Sequence, residues 1–179
     1  SLSICLCLSL SVSLSLSVSV CLFLKLLFIT DDQDVELGSL RAMNTTMSLL
    51  AEGGTTLHNY FVTTPICCPS RISYLSGRYA HNTGAVATTK AGWCSVGKFW
   101  KGPGQQHALP TYLQKAGVAT GIFGKETNVN DDSYISPGWD RFFVLGGTHP
   151  AQHDRQPPEK QSSLFFFVCV CVCVCVCVC

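Results

Sequence analysis

Charge is scarce in this chain: 13% of its 179 residues are Asp, Glu, Lys or Arg, and the formal net charge is +1. A phosphate-binding surface needs a clustered basic excess, so no nucleic-acid partner is expected. Residues 1–29 hold one charged side chain, Lys25, and residues 164–179 hold none. The other 22 charges, 11 basic and 11 acidic, lie in 30–163, which alone has ordinary globular composition. Paired C-x-x-C spacing is absent, and no His or carboxylate interrupts the thiols of the last twelve residues. That removes the usual pattern of a zinc site. A basic n-region and a small-residue cleavage site are also lacking at the start of the chain. Although the apolar stretch exceeds the ~18 residues that flag a membrane span, Ser fills eight of its first nineteen positions. A membrane anchor is therefore not expected.

What is present at the two ends is repetition. Residues 1–19 are a near-repeat of Ser alternating with Leu or Val, clearest over 9–19, and residues 168–179 are Val-Cys repeated. Such period-2 alternation is compatible with a strand, but a simpler origin suffices. A TC dinucleotide repeat read in triplets gives Ser-Leu, and a GT repeat gives Val-Cys. The tails thus read as translated simple repeats, over 1–21 and 164–179, around a globular segment at 22–146 and a polar, Pro-rich segment at 147–163. Nine of the 12 cysteines lie in the tails, so the cysteine count does not report a redox compartment.

The middle of the chain alternates strand and helix signals. Residues 22–29, Leu-Phe-Leu-Lys-Leu-Leu-Phe-Ile, form a short apolar run stopped by Thr30-Asp31-Asp32, as in a buried parallel strand. Apolar residues from Leu37 to Leu50 recur near helical spacing before Gly53-Gly54. Thr56 to Thr63 reads as a strand, and Pro69 to Leu75 as a short helix stopped by Gly77. Residues 109–116 read as helix closed by Gly117, and Val118 to Phe123 as a strand closed by Gly124-Lys125. This order predicts an α/β fold with a mostly parallel sheet. Order is expected to end near Thr148.

Three clusters could carry chemistry. Asp31 and Asp32, with Asp34 two residues on, stand at the carboxyl end of a strand, where α/β sheets place their ligands. Adjacent carboxylates either make a solvated turn or share a hard divalent cation such as Ca²⁺. Cys67-Cys68-Pro69-Ser70-Arg71 begins a helix whose free N–H groups favour an anion. Cys67 and Arg71 are four apart and can share a face, which suits a nucleophile beside a guanidinium. A buried thiol pair, or a disulfide to Cys94, is the structural alternative for these cysteines. Lys125 ends the second strand and could bind an anion as a point charge.

Taken together these residues resemble the formylglycine-dependent sulfatases. Cys67-x-Pro69-Ser70-Arg71 is similar to the C-x-P-S-R motif whose cysteine an ER enzyme oxidises to formylglycine, and Leu75-Ser76-Gly77-Arg78-Tyr79 continues it. Gly117 to Lys125 is similar to the second signature, G-x-x-T-x-x-x-G-K, and Asp31-Asp32 stands where the first metal ligands do. Asp34 to Leu40, Phe61 to Pro65 and Ser133 to Trp139 resemble the glucosamine-6-sulfatase branch, which contains lysosomal N-acetylglucosamine-6-sulfatases and extracellular heparan sulfate 6-O-endosulfatases. The resemblance covers about residues 22–146.

It implies a partial alkaline-phosphatase-like fold and a sulfuric ester hydrolase. The implied substrate is the 6-O-sulfate of glucosamine in heparan sulfate or a related glycosaminoglycan. One hydroxyl of a hydrated aldehyde from Cys67 would attack sulfur and expel the alcohol, and loss of the proton from the second hydroxyl would reform the aldehyde and release sulfate. Asp31, Asp32 and position 67 would hold Ca²⁺, Arg71 would hold the nucleophile, and Lys125 would neutralise a sulfate oxygen. His81 is a candidate at the substrate rim. Further implications are the formylglycine-generating enzyme as a partner, a secretory route to lysosome or cell surface, and use of the sequon Asn44-Thr45-Thr46 for N-glycosylation.

Two departures qualify these expectations. The branch usually continues Tyr-Leu-Asn after the lysine, whereas this chain has Glu126-Thr127-Asn128, a carboxylate that would oppose anion binding if it pointed inward. The later metal ligands, lysine and histidine of the family have no counterpart in 147–179, so the alternative is a truncated, non-catalytic product of a sulfatase locus, inactive alone.

Overall fold

The computed structural model describes residues 5–12, 22–33, 36, 38–94, 98–128, 134–145, 150–154 and 164–171; at 5–12, 22–24, 145, 150–154 and 164–171 it describes the backbone alone. Asp34 lies outside the described residues. The strands are β1 (Cys5–Val12), β2 (Leu22–Thr30), β3 (Ala119–Gly124), β4 (Arg141–Leu145), β5 (Pro150–Asp154) and β6 (Leu164–Cys171). They form one sheet in the order β1-β2-β6-β3-β4-β5. The four inner strands run parallel, while β1 and β5 close the two edges antiparallel. The expected α/β architecture with a mostly parallel sheet is present.

Among the described residues, four short α-helices accompany the sheet: α1 (Asn44–Thr46), α2 (Cys67–Ser76), α3 (Ala80–Thr83) and α4 (Leu109–Lys115). In α2, Pro69 falls in the first turn, where its missing N–H leaves no bond unmade. Gly77 ends the helix at φ 67°, its N–H bonded to the Ser73 carbonyl at 2.8 Å. Pro110 sits likewise in the first turn of α4. Ile72 and Leu75 of α2 join Ile29 of β2, Ile122 of β3 and Phe142 and Val144 of β4 in the core. Trp100, Trp139, Cys68, Cys94, Ala85 and Ala108 belong to the same cluster.

Several elements differ from the sequence reading. The helix expected over 37–50 is split into a 3₁₀ turn (Ser39–Ala42), α1 and a π turn (Met47–Ala51). None of the three buries a residue, so no packed face regularises a stretch holding Asn44, Thr45 and Thr46, which are poor helix formers. Thr56 to Thr63 forms no strand; it is mostly exposed, with Phe61 at 80% exposure. Order does not end at Thr148, because Pro150–Asp154 pairs with β4. Both repeat-bearing tails also contribute strands. Leu164–Cys171 lies between β2 and β3 and pairs with each, since a continuous run of aromatic and aliphatic residues suits a central parallel strand.

Candidate active site

The carboxyl ends of β2 and β3 converge on the amino end of α2. Asp31 and Asp32 follow β2, Lys125 follows β3, and Cys67 and Arg71 occupy the first two turns of α2. Asp31 is the hub. Arg71 Nη2 donates to Asp31 Oδ1 at 2.8 Å, and Lys125 Nζ donates to Asp31 Oδ2 at 2.8 Å. Arg71 Nη1 also donates to the Lys125 carbonyl, so one guanidinium ties both strand ends to the helix. The Arg71 side chain is 4% exposed and that of Asp31 11%. Burial alone would raise the Asp31 pKa. The hydrogen bonds and charges of Lys125 and Arg71 outweigh it and hold the carboxyl below its ordinary value.

Asp32 is exposed and turns the chain with φ 52°, a left-handed conformation that aspartate tolerates better than most residues. Its Oδ1 lies 3.9 Å from Cys67 Sγ. Cys67 is a free thiol. Donor atoms of Asp31, Asp32 and Cys67 all lie within 4.8 Å of one another, the spacing of ligands around one ion. A small crevice bounded by Ile29, Asp31, Asp32, Cys67, Ser70 and Arg71 opens over them. The two carboxylates suit a hard cation such as Ca²⁺, which takes roughly six to eight oxygens, whereas the thiol of Cys67 is a soft donor.

The structure therefore brings together Asp31, Asp32, Cys67, Arg71 and Lys125. His81 stands apart: it is exposed on α3, stacked on the Tyr79 ring with centroids 5.6 Å apart, and does not line the crevice. Asn44 is exposed at the start of α1. Cys68, next to the candidate nucleophile, is bonded to Cys94. That disulfide takes Cys68 out of the site's chemistry and leaves the neighbouring thiol alone at the crevice.

Glu126 does not face the anion site. It is 3% exposed, accepting from Ser136 Oγ at 2.7 Å and from Trp139 Nε1 at 3.2 Å. Burial pushes its carboxyl up to about 7 against the pull of those two bonds. The carboxylate therefore does not oppose an anion at Lys125: Lys125 is bonded to Asp31, while Glu126 is bonded to Ser136 and Trp139. Sequence reasoning missed its partners, because a Ser and a Trp ten and thirteen residues on carry no local signal.

A sulfatase family model matches residues 26–163. The chain is 46% identical over 114 residues to an extracellular sulfatase SULF-1 homolog of Drosophila melanogaster, which covers 64% of this chain and 10% of that protein. It is 42% identical over 120 residues to a putative extracellular sulfatase Sulf-1 homolog of Caenorhabditis elegans, covering 67% and 16%. With the human N-acetylglucosamine-6-sulfatase it shares 33% over 127 residues, covering 67% and 23%. The chain thus spans less than a quarter of the length of each of these relatives. No solved structure matches. With its C-x-P-S-R cysteine, paired aspartates and strand-end lysine gathered at one sheet edge, the chain belongs to the sulfatase family, in the glucosamine-6-sulfatase branch.

Proposed function

We propose that this chain is the part of a sulfuric ester hydrolase that holds the nucleophile, and that the enzyme removes 6-O-sulfate from glucosamine residues of heparan sulfate or a related glycosaminoglycan. The observation that carries the reading is the placement of Cys67 beside Asp32 with Asp31 bridging Arg71 and Lys125. Conversion of Cys67 to formylglycine by the formylglycine-generating enzyme, with Ca²⁺ on Asp31 and Asp32, would supply a metal-activated hydroxyl nucleophile and a second hydroxyl for release of sulfate.

The chain's own residues then have definite tasks. Arg71, fixed by its two bonds, would keep a positive charge in the crevice that Cys67 also lines. Lys125 is held on Asp31 with its ammonium partly exposed, and can turn one N–H toward a sulfate oxygen. Asp31 keeps both cations in register. Ile29 and Ile66 give the crevice an apolar wall that limits water. The exposed Asn44 is the proposed N-glycan acceptor, consistent with a secretory route. Homologues bearing extracellular names favour the cell surface over the lysosome.

The test is coexpression with the formylglycine-generating enzyme, then mass spectrometry of the Cys67 peptide and a 4-methylumbelliferyl sulfate assay. We expect aldehyde at position 67 and none in Cys67→Ala. With three metal donors among the described residues, we expect no turnover by the 179-residue chain itself. Absence of aldehyde in the wild-type chain would sink the nucleophile assignment. Faster release from a matched phosphate ester than from the sulfate, once a longer form is active, would sink the sulfate assignment.

A further inference from the structure

Lys125 and Glu126 are consecutive, yet one reaches the site and the other is locked into the protein. Between them runs a backbone whose carbonyl, that of Lys125, accepts from Arg71. On the buried side, Glu126 is bound by Ser136 and Trp139, which are 3% and 1% exposed. The Ser136 hydroxyl lies 2.9 Å from the Gln105 amide, which also meets the Tyr134 hydroxyl. Thr111 of α4 donates to the Gln105 carbonyl at 2.7 Å. A chain of buried polar contacts therefore runs from α4 through Gln105 and Ser136 to Glu126, one peptide from the site. Gly138 keeps this loop close to α4, since a Cβ there would run into the Thr111 backbone.

We propose that Glu126 is a positioning residue for Lys125: its carboxylate anchors the turn after β3 to the 134–140 loop, and so holds Lys125 against Arg71 and Asp31 where an anion can be bound. The inference rests on the sulfatase reading only in taking Lys125 as the group that receives sulfate. It also opposes a purely electrostatic expectation. A carboxylate acting through its charge alone would repel sulfate, and neutralising it would tighten binding. A carboxylate acting as an anchor has the opposite sign, because loosening the turn frees the lysine.

The experiment uses the full chain with Glu126→Gln, which keeps size and shape while weakening acceptance from two donors. Two readouts are made. One is the acylation rate of Lys125 by limiting acetic anhydride, read by mass spectrometry against the exposed Lys115. The other is affinity for inorganic sulfate, with Lys125→Met as reference. Loss of about one hydrogen bond's worth of anchoring predicts Lys125 acylation about fivefold faster and sulfate binding weaker by a similar factor. Unchanged rates and affinity in E126Q, or tighter sulfate binding, would overturn the proposal. If the wild-type chain binds no more sulfate than Lys125→Met, the sulfate role of Lys125 fails and the acylation ratio alone decides the anchor. Should E126Q not fold, Ser136→Ala and Trp139→Phe each remove one donor to the same carboxylate. Each must then raise Lys125 acylation, and a lack of effect in both overturns the anchor.

Discussion

Asp31 and Glu126 are both drawn in from solvent, yet their surroundings move their titration in opposite directions. Asp31 is lowered by its two cations, so the stability it contributes is present above the ordinary carboxylate range and is lost as pH falls through its folded value. Replacing it by Asn leaves Arg71 and Lys125 facing a neutral amide. Asp31→Asn should cost about 3 kcal/mol near neutral pH, less to the extent that water reaches Lys125, as a lower urea midpoint would show. Glu126 is raised from 4.5 to about 7, so across that window the native state holds a proton that the unfolded chain has released. Stability therefore falls as pH rises through that window, by roughly 3 kcal/mol in all. The groups around it are Ser136, Trp139 and, through Gln105, Tyr134, whose own pKa is raised by burial and by the Glu126 charge; Lys101 sits over the Tyr134 ring. A thermal melt series should show this decline in wild type and a flat profile in Glu126→Gln.

At the scale of elements, α2 carries most of the site, and three features hold it in place. Its apolar face, Ile72 and Leu75, packs on the sheet; Gly77 stops it; and Cys68 is bonded to Cys94, 26 residues away. Closing a loop of that length restricts the unfolded chain by about 3.5 kcal/mol in the loop-entropy account. The double replacement Cys68→Ala with Cys94→Ala should lower unfolding free energy by up to that amount, with Cys67 still free to react. A denaturation curve coinciding with wild type would show that packing alone holds α2. Short helix signals of this kind were legible because Pro and Gly punctuate them. The helix over 37–50 was not, because apolar spacing marks a helix only where something buries the apolar face.

At the scale of the molecule, the two halves of the site stand on β2 and β3, which do not pair with each other but with β6 between them. The repeat-bearing tail is thus part of the path that connects Asp31 to Lys125. A chain ending at residue 163 should lose that connection. Its urea unfolding should broaden or split in two, and Lys125 acylation should rise toward that of an exposed lysine. A single transition with the full chain's slope would mean that the β2 and β3 ends are held by Arg71 alone.

Residue types and spacing by themselves determined the motif cysteine with its arginine one helical turn on, the aspartate pair, the lysine that ends a strand, and the alternation that makes an α/β layer. These are local facts, set by backbone preference over a few residues, and Pro69, Gly77 and Gly117 mark them in the text. Only the tertiary structure decided that Arg71 and Lys125 share Asp31 across separations of 40 and 94 residues. It also decided that Cys68 pairs with Cys94, that Glu126 turns away from its neighbour, and that β6 stands between β2 and β3. Each of these is a choice among distant partners, and it is made by burial: a charge or polar group withdrawn from water is stable only beside a partner that the fold, and no short stretch of sequence, can bring to it.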